Sequence, residues 1–347
     1  MSVDRGSRVL ELDGAPSVPG LVFRHFERER DYPAVAAVLS AANLHDGVDW
    51  LPTEAALRHD WELTDGADLD EDALVAEIDG AMVGFVDHSW KQRGEHVMHH
   101  LNPVVLPSHR HHGIGRVLLA WAEARVARGL AAGTMGNPDI PHVLAAWADL
   151  EIPEVAPFAA AGGYTVVGYG ILMTRSLADP LPEAPMPAGV EIRPVRAEDH
   201  RRIWDADCEA FQDHRDPTVR SEADFLRWFS QPDIDTGLWQ VAWDGDEVAG
   251  SVMNFVFPEE NEKLGIRRGW LEHISVRRPW RRRGLAAALI ARSLATLREL
   301  GLDEAALGAD AENLTGAVRL YEGLGFRRIR TAADYRKAIE VPGSAAS

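Results

Sequence analysis

The chain has 347 residues, enough for about two domains of ~150 residues each. It is 46% hydrophobic and 26% charged, the balance of a globular protein with a core, and its net charge of −18 excludes general coating of nucleic acid, which needs a basic surface. Cys208 stands alone, residues 1–20 lack the apolar centre of a secretion signal, and the uncharged stretch 155–174 is broken by Pro157, Gly162, Gly163, Gly168 and Gly170, so no disulfide, export or membrane span is expected and the cytoplasm is the expected compartment.

Residues 1–20 end in Gly-Ala-Pro-Ser-Val-Pro-Gly and read as a mobile leader. A first domain is expected over 21–178. It opens with a strand at Leu21–Phe26 and a helix from about Asp31, followed by the hairpin Ala73–Ile78, Asp79-Gly80, Met82–His88. A further strand, Val97–Leu106, leads through a loop into a long amphipathic helix. Four prolines between 179 and 189 form a stiff linker that neither a helix nor a central strand tolerates.

The second half, 190–340, repeats the order, with a short tail at 341–347. A strand at Val190–Val195 precedes a helix from about Glu198, and a hairpin follows with Trp239–Trp243, Asp244-Gly245 and Val248–Phe257. The strand Trp270–Val276 leads to a helix whose Leu285, Leu289, Leu294, Leu297 and Leu300 share one face, closed by Gly301. A strand at Glu304–Ala309, a short helix over Thr315–Leu324 and a last strand complete it. The fold class is α/β of the α+β type: two tandem domains, each a mixed, mostly antiparallel sheet flanked by helices.

The most informative segment is Val276-Arg-Arg-Pro-Trp-Arg-Arg-Arg-Gly284-Leu-Ala286, matched in the first half by Val105-Leu-Pro-Ser-His-Arg-His-His-Gly113-Ile-Gly115. Both place Arg-x-x-Gly-x-(Gly/Ala) between a strand and a helix. Small residues let the chain turn so that successive N–H groups converge at the positive end of the helix, a geometry suited to a pyrophosphate. The competing reading is a solvated arginine face, which is unexpected in so acidic a chain. Gly-x-Gly-x-x-Gly and Gly-Lys-Ser/Thr are both absent, which disfavours a dinucleotide fold and nucleotide hydrolysis.

With this loop, Asn313 and Leu320-Tyr321-Glu-Gly-Leu-Gly325-Phe326, each half resembles one domain of the GNAT superfamily of acetyl-CoA-dependent N-acetyltransferases. The resemblance implies that acetyl-CoA contacts Ile274, Ser275, Val276, Arg281, Arg282, Arg283, Gly284, Leu285, Ala286 and Asn313. A second site of the same type is implied at Val105, Arg110, His111, His112, Gly113, Ile114 and Gly115. It also implies Tyr321 as the acid for the departing thiolate and Glu272 as the base acting on the amine. The family usually spaces asparagine and tyrosine by one residue less than Asn313 and Tyr321 are spaced here.

Aligned on Gly284 and Gly113, position 272 falls on Leu101. Aligned on Gly325-Phe326 and Gly163-Tyr164, Tyr321 falls on Ala159. Neither residue transfers a proton, so catalysis is expected in the C-terminal half alone. Strand alternation over Trp270–Val276 puts Glu272 on one face with Ile274 and Val276, where apolar neighbours raise a carboxyl pKa; an ion pair with a nearby arginine is the alternative.

His96, His99, His100, His109, His111 and His112 crowd the first half, but their placement partly within the anion loop does not read as a metal site, and no metal is expected. Cys208, in a helical pattern, reads as a buried residue rather than a nucleophile, which leaves direct attack in a ternary complex. Asp205, Asp207, Glu209, Asp213, Asp216, Glu259, Glu260 and Glu262, with Trp204, Trp228 and Trp270, point to a small cationic amine as acceptor. A non-catalytic acyl-CoA sensor is the rival reading, and monomer and homodimer are both open.

Overall fold

The structure, a computed structural model, describes residues 9–64, 66–311 and 316–339. The elements in chain order are β1 (Val9–Leu10), β2 (Leu21–His25), α1 (Arg28–Asp46), α2 (Glu54–Glu62), α3 (Leu69–Asp72), β3 (Ala73–Ile78), β4 (Ala81–Arg93), β5 (His96–Val105), α4 (Ile114–Ala131), β6 (His142–Asp149), α5 (Val155–Ala161) and β7 (Thr165–Ser176). They continue with β8 (Glu191–Ile192), α6 (His200–Phe211), α7 (Glu222–Phe229), β9 (Gln240–Asp244), β10 (Glu247–Phe255), α8 (Pro258–Leu264), β11 (Arg268–Val276), α9 (Leu285–Glu299), β12 (Glu304–Asp310), α10 (Ala317–Gly323) and β13 (Arg327–Ala338). Among the described residues no helix is long and apolar enough to cross a membrane.

The chain divides into two compact units, Met1–Val167 with Asp334–Ser347, and Gly168–Ala333. This differs from an exchange-free boundary at 178. From Gly170 to Ser176, β7 pairs antiparallel with β12, so the last strand of the first half of the sequence belongs to the sheet of the second unit. Conversely, the end of β13 counts with unit 1. Strand pairing is non-local, and a repeat in sequence does not dictate which copy of a sheet a strand joins.

In unit 1, β2 to β5 form an antiparallel meander and β6 joins β5 in parallel. Part of the expected leader is ordered: Val9 and Leu10 pair with Arg24 and Phe23. One face packs Phe85, Met82 and Val75 against Tyr32, Val35 and Leu39 of α1. Arg24, Asp31 and Glu77 form a buried ion cluster, with Arg24 to Asp31 at 2.6 Å and to Glu77 at 2.5 Å.

In unit 2, β8 to β11 are antiparallel and β12 joins β11 in parallel. The main core holds Leu285, Leu289, Leu294 and Leu297 of α9 against Leu271, Ala305, Leu307 and Met173. Burying each such leucine contributes about 1.5–3 kcal/mol. Leu181 and Met186 of the proline-rich segment pack on this core, so the linker is anchored at both residues. The opposite face carries a second cluster, with Ile203, Ala206, Trp239, Met253 and Phe255 and, at its margin, Trp228 and Trp270. Helices α2, α3, α7 and α8 are additions to the repeat seen in the sequence. Of these, α3, α7 and α8 are too short to show helical periodicity clearly, and α7 is fixed by a capping box between Ser221 and Asp224.

Candidate active site

The ladder of β10 with β11 runs Gly250↔Val276 and Ser251↔Ser275, then Met253↔Glu272, Asn254↔Leu271 and Phe255↔Trp270. Between these two stretches β11 carries one extra residue, and His273 there takes φ 45. The bulge breaks the alternation. Ile274 and Val276 pack with Leu271 and Tyr321 on the α9 core. Glu272 stands instead on the face of its rung partner Met253 and of Trp270. The expectation that Glu272 shares a face with Ile274 and Val276 is therefore wrong, because one inserted residue turns every later side chain over.

β11 pairs with β12 only through Arg268↔Glu304, Gly269↔Ala305 and Trp270↔Ala306, although the strands run on to Val276 and Asp310. Beyond Trp270 they part, and the edge of β11 facing that gap offers unused backbone groups. A slot through a sheet is reachable from both faces. Glu272 lies two residues past the parting point on one face. Tyr321 is packed on the other.

At the end of β11, a turn over Arg278–Trp280 leads to Arg282 (φ 59) and Gly284 (φ 84), and α9 begins at Leu285. Left-handed residues alternating with right-handed ones make a concave nest of N–H groups on top of the helix N-terminus. Apart from its two chain neighbours, no residue comes within 4 Å of the point where a Cβ on Gly284 would sit. Unit 1 repeats the backbone at His111 (φ 64) and Gly113 (φ 87), with α4 starting at Ile114. There Pro16 stands 3.5 Å from the equivalent point.

Arg281 is not a free cation. Its Nε donates to Val276 O at 2.8 Å, its Nη1 to Asp213 and its Nη2 to Ala210 O at 3.2 Å. Arg110 does the same in unit 1, with Nε to Val105 O at 3.2 Å and the fork on Asp46 at 2.8 and 2.6 Å. These two arginines fasten the loop to its own strand and so hold the nest in place. Arg282 and Arg283 are exposed, Arg283 also touching Ala188 O at 3.2 Å. Leu285 and Ile114 are buried anchors, and Ala286 is half-buried. His112 Nδ1 sits 2.8 Å from Arg110 O, and Gly115 lies against Val105 and Phe158.

Tyr321 is buried in α10, with its ring edge-on to Phe326 at 6.3 Å, and burial pushes its hydroxyl up to about 12. Arg175 of β7 holds the end of this helix by donating to Leu324 O, and it also reaches Pro180 O at 2.5 Å. Burial raises the Glu272 carboxyl as well, with neighbouring His273 pulling the other way. Ser275 is buried against Ser251 at 3.2 Å. Asn313 lies outside the described residues.

The sequence reading missed an array beside Glu272. Asp207, fully buried, lies 2.8 Å from His273 Nδ1 and 2.7 Å from Arg220 Nη1. The His273 ring is 4.3 Å from Trp228 and 5.3 Å from Phe211, and Arg220 stacks over Trp204 and Phe211. A signal existed: Asp207 follows Ile203 by four residues on the buried stripe of α6. Burial pushes the half-buried Cys208 thiol up, which keeps it protonated. The acids expected to steer a cation are largely engaged with arginines: Asp205 with Arg201, Glu209 with Arg277, Asp213 with Arg278 and Arg281, and Asp216 with Arg215. Glu260 is buried, and Glu259 and Glu262 are exposed on α8.

The same rung counting revises the match between halves. Gly84↔Val105 in unit 1 corresponds to Gly250↔Val276, but β5 has no bulge. Leu101 therefore matches Leu271, and the rung of Met253 and Glu272 corresponds to Asp87 and Asn102. The helices α5 and α10 are both seven residues long, and Ala159 and Tyr321 hold the same position in each. Of the unit 1 histidines that drew attention, His99 stands in a stack with two others, His88 and His142, with His88 Nε2 to His99 Nδ1 at 3.0 Å and His99 Nε2 to His142 Nδ1 at 2.8 Å.

Comparison with known proteins agrees with this architecture. Residues 198–326 match the family described as acetyltransferase (GNAT) family, and residues 70–149 match an acetyltransferase (GNAT) domain. The chain is 32% identical to a mycothiol acetyltransferase of Geodermatophilus obscurus over 88% of this chain and 94% of that protein. It is 31% identical to one of Salinispora arenicola over 89% and 94%. A GCN5-related N-acetyltransferase from Sphaerobacter thermophilus superposes with a TM-score of 0.68 at 25% identity, covering 92% of this chain and 95% of the other.

Proposed function

The chain belongs to the GNAT acetyltransferase family, and from that premise we propose that it moves an acetyl group from acetyl-CoA to the primary amine of a small molecule, with the chemistry in unit 2. The observation that carries this reading is the parting of β11 from β12 on the strand that leads into the nest at Arg282 and Gly284. Diphosphate oxygens fit the nest, where the N–H groups of residues 282–286 and the exposed Arg282 and Arg283 supply donors. The pantetheine arm then follows the unused edge of β11. A backbone N–H of Ile274–Val276 faces the thioester oxygen and stabilises the oxyanion.

Glu272 acts from one face of the slot. A primary ammonium must lose its proton before the nitrogen can attack, and a carboxylate with a raised pKa is matched to that work. Tyr321 acts from the other face. Its hydroxyl stays protonated throughout the working range and can donate to the departing thiolate. With the Cys208 thiol pushed up and away from thiolate, transfer proceeds by direct attack of the amine on the thioester. Trp228, Trp270 and Phe255 give the acceptor side an aromatic wall, which holds an ammonium by its ring faces.

Relatives named mycothiol acetyltransferase make the mycothiol synthase reaction the first specific acceptor to test. The nest of unit 1 supports acetyl-CoA binding there too. Incubation with acetyl-CoA and a panel of amines, following thiol release, is the deciding experiment. Amine-dependent release supports the proposal. Binding of acetyl-CoA with no amine-dependent release across the panel favours a sensing protein.

A further inference from the structure

The equivalence of the two units sets Asp87 and Asn102 at the level of Met253 and Glu272. β5 pairs with β6 only from Val97↔His142 to His100↔Ala145, while the strands run on to Val105 and Asp149. Asn102 thus lies two residues past the parting point, as Glu272 does in unit 2. A carboxylate is present on this rung in both units, on opposite strands of the hairpin. Unit 1 also keeps the nest at His111 and Gly113 and the clamp from Arg110. Each part of the unit 2 site thus has a counterpart in unit 1 except Tyr321, whose place Ala159 takes.

We propose that unit 1 carries a second proton-transfer site, in which Asp87 takes the proton of a small polar amine that attacks an acyl thioester seated on the loop Arg110–Gly115. This rests on the reading that the unit 1 loop holds acyl-CoA. Asn102 Nδ2 donates to Asp87 Oδ2 at 2.9 Å, which fixes the carboxylate. Asp87 is half-buried. Burial pushes its carboxyl up to about 6, outweighing the Asn102 bond and a backbone amide, so it is poised as a base near neutrality. Its neighbours are Ala73 on β3, Asn102 on β5, Phe85 with Val104 one same-face rung along in one direction, and Ser89 with His100, which burial holds neutral at about 4, in the other.

These neighbours also set the acceptor class. Unit 2 has Met253, Phe255 and Trp270 at the corresponding positions, and unit 1 has Asp87, Ser89 and His100. On the two rungs from Asp87 away from the loop, unit 1 therefore suits a small hydroxyl-rich amine, and unit 2 one with an apolar part. In the step, the amine nitrogen bonds to the thioester carbon, the C–S bond breaks, and the sulfur leaves with the electron pair as CoA thiolate. The proton lost by nitrogen goes to Asp87. A thiol pKa near ~8.5 lets the thiolate depart unprotonated, so Ala159 in place of a tyrosine slows the step without forbidding it.

The test uses the full chain with unit 2 silenced by Tyr321→Phe and Glu272→Gln together. Thiol release from acetyl-CoA is followed with glucosamine as the polar probe and phenethylamine as the apolar one. The expected result is a slow residual release favouring glucosamine, rising with pH through about 6 and falling at least ~10²-fold on adding Asp87→Asn. Adding Asn102→Ala instead should move the rise to higher pH, because one bond to the ionised form is gone. No residual release, or release that Asp87→Asn leaves unchanged, overturns the proposal. Calorimetry with CoA on a His111→Glu chain separates the two layers: if unit 1 binds CoA and does no chemistry, only the second site fails. If CoA binds unit 2 alone, the reading of the unit 1 loop fails with it.

Discussion

His273 Nδ1 lies 2.8 Å from Oδ2 of Asp207, a carboxylate with no exposed side-chain surface, and the histidine that makes this bond is at the bulge that turns Glu272 to its face. The bond ties α6 to β11 at the slot. A non-glycine residue at φ 45 is strained, and a hydrogen bond to a buried acid offsets that strain.

Asp207→Asn is expected to destabilise unit 2 by about 3–5 kcal/mol, because Arg220 loses its buried counter-charge. Burial alone would raise the Asp207 pKa, but His273 and Arg220 hold it below the ordinary carboxylate range. Its contribution is therefore full above the unfolded carboxylate pKa and is lost as pH falls through the lower folded value. Urea melts of wild type and variant should differ by a constant amount near neutrality and converge in acid. Equal stability at pH 7 would show the array to be energetically idle.

Tyr321→Phe should reduce kcat by ~10²–10⁴ while leaving the KM for acetyl-CoA nearly unchanged, since only a hydroxyl is removed. Glu272→Gln should abolish the rise of kcat/KM with pH, because the base works only when deprotonated and burial has raised its pKa. Steady-state pH profiles of both variants check the assignment. Full turnover in either rules that residue out.

Arg283→Glu places a negative charge beside the nest, and acetyl-CoA should bind at least tenfold more weakly, the loss of one charge-assisted bond of about 1.5–3 kcal/mol. Arg281→Ala is expected to act differently. It frees Val276 O and Asp213 and loosens the loop, so thermal stability falls along with affinity. Calorimetry paired with thermal melts distinguishes the two, and an Arg281→Ala chain of unchanged Tm would contradict the clamp.

The histidine stack should make unit 1 sensitive to acid. Asn137 O only accepts, so His142 Nε2 donates to it at 3.1 Å and each ring in turn accepts from the one before. Burial depresses His99 to about 3 and also lowers His142. The folded pKa lies below the unfolded value near 6.5, so stability is full above that value and falls by up to ~1.4 kcal/mol per pH unit per histidine as pH drops below it. His99→Gln keeps one acceptor and one donor and should flatten this slope in denaturant melts between pH 4 and 7. An unchanged slope would place the acid sensitivity elsewhere.

Several features were legible in the sequence because they are local. The left-handed positions at Gly284 and Gly113, the leucine stripe of α9, the Asp-Gly hairpins and the distance from Tyr321 to Gly325-Phe326 all follow from short-range backbone sterics and periodicity. The GNAT resemblance rests on these same local patterns, which is why it holds over both halves. Three features were decided only by tertiary pairing. An extra residue in β11 is invisible until its partner strand is in place, yet it moves Glu272 to the opposite face and shifts its counterpart from Leu101 to Asn102. Whether Arg281 and Arg110 face a phosphate or their own strand depends on Asp213 and Asp46, far away in sequence. The choice of β12 as partner for β7 is a contest between nearly equivalent edges, and such a contest is settled by long-range register, where a shift of one residue changes which side chains are buried.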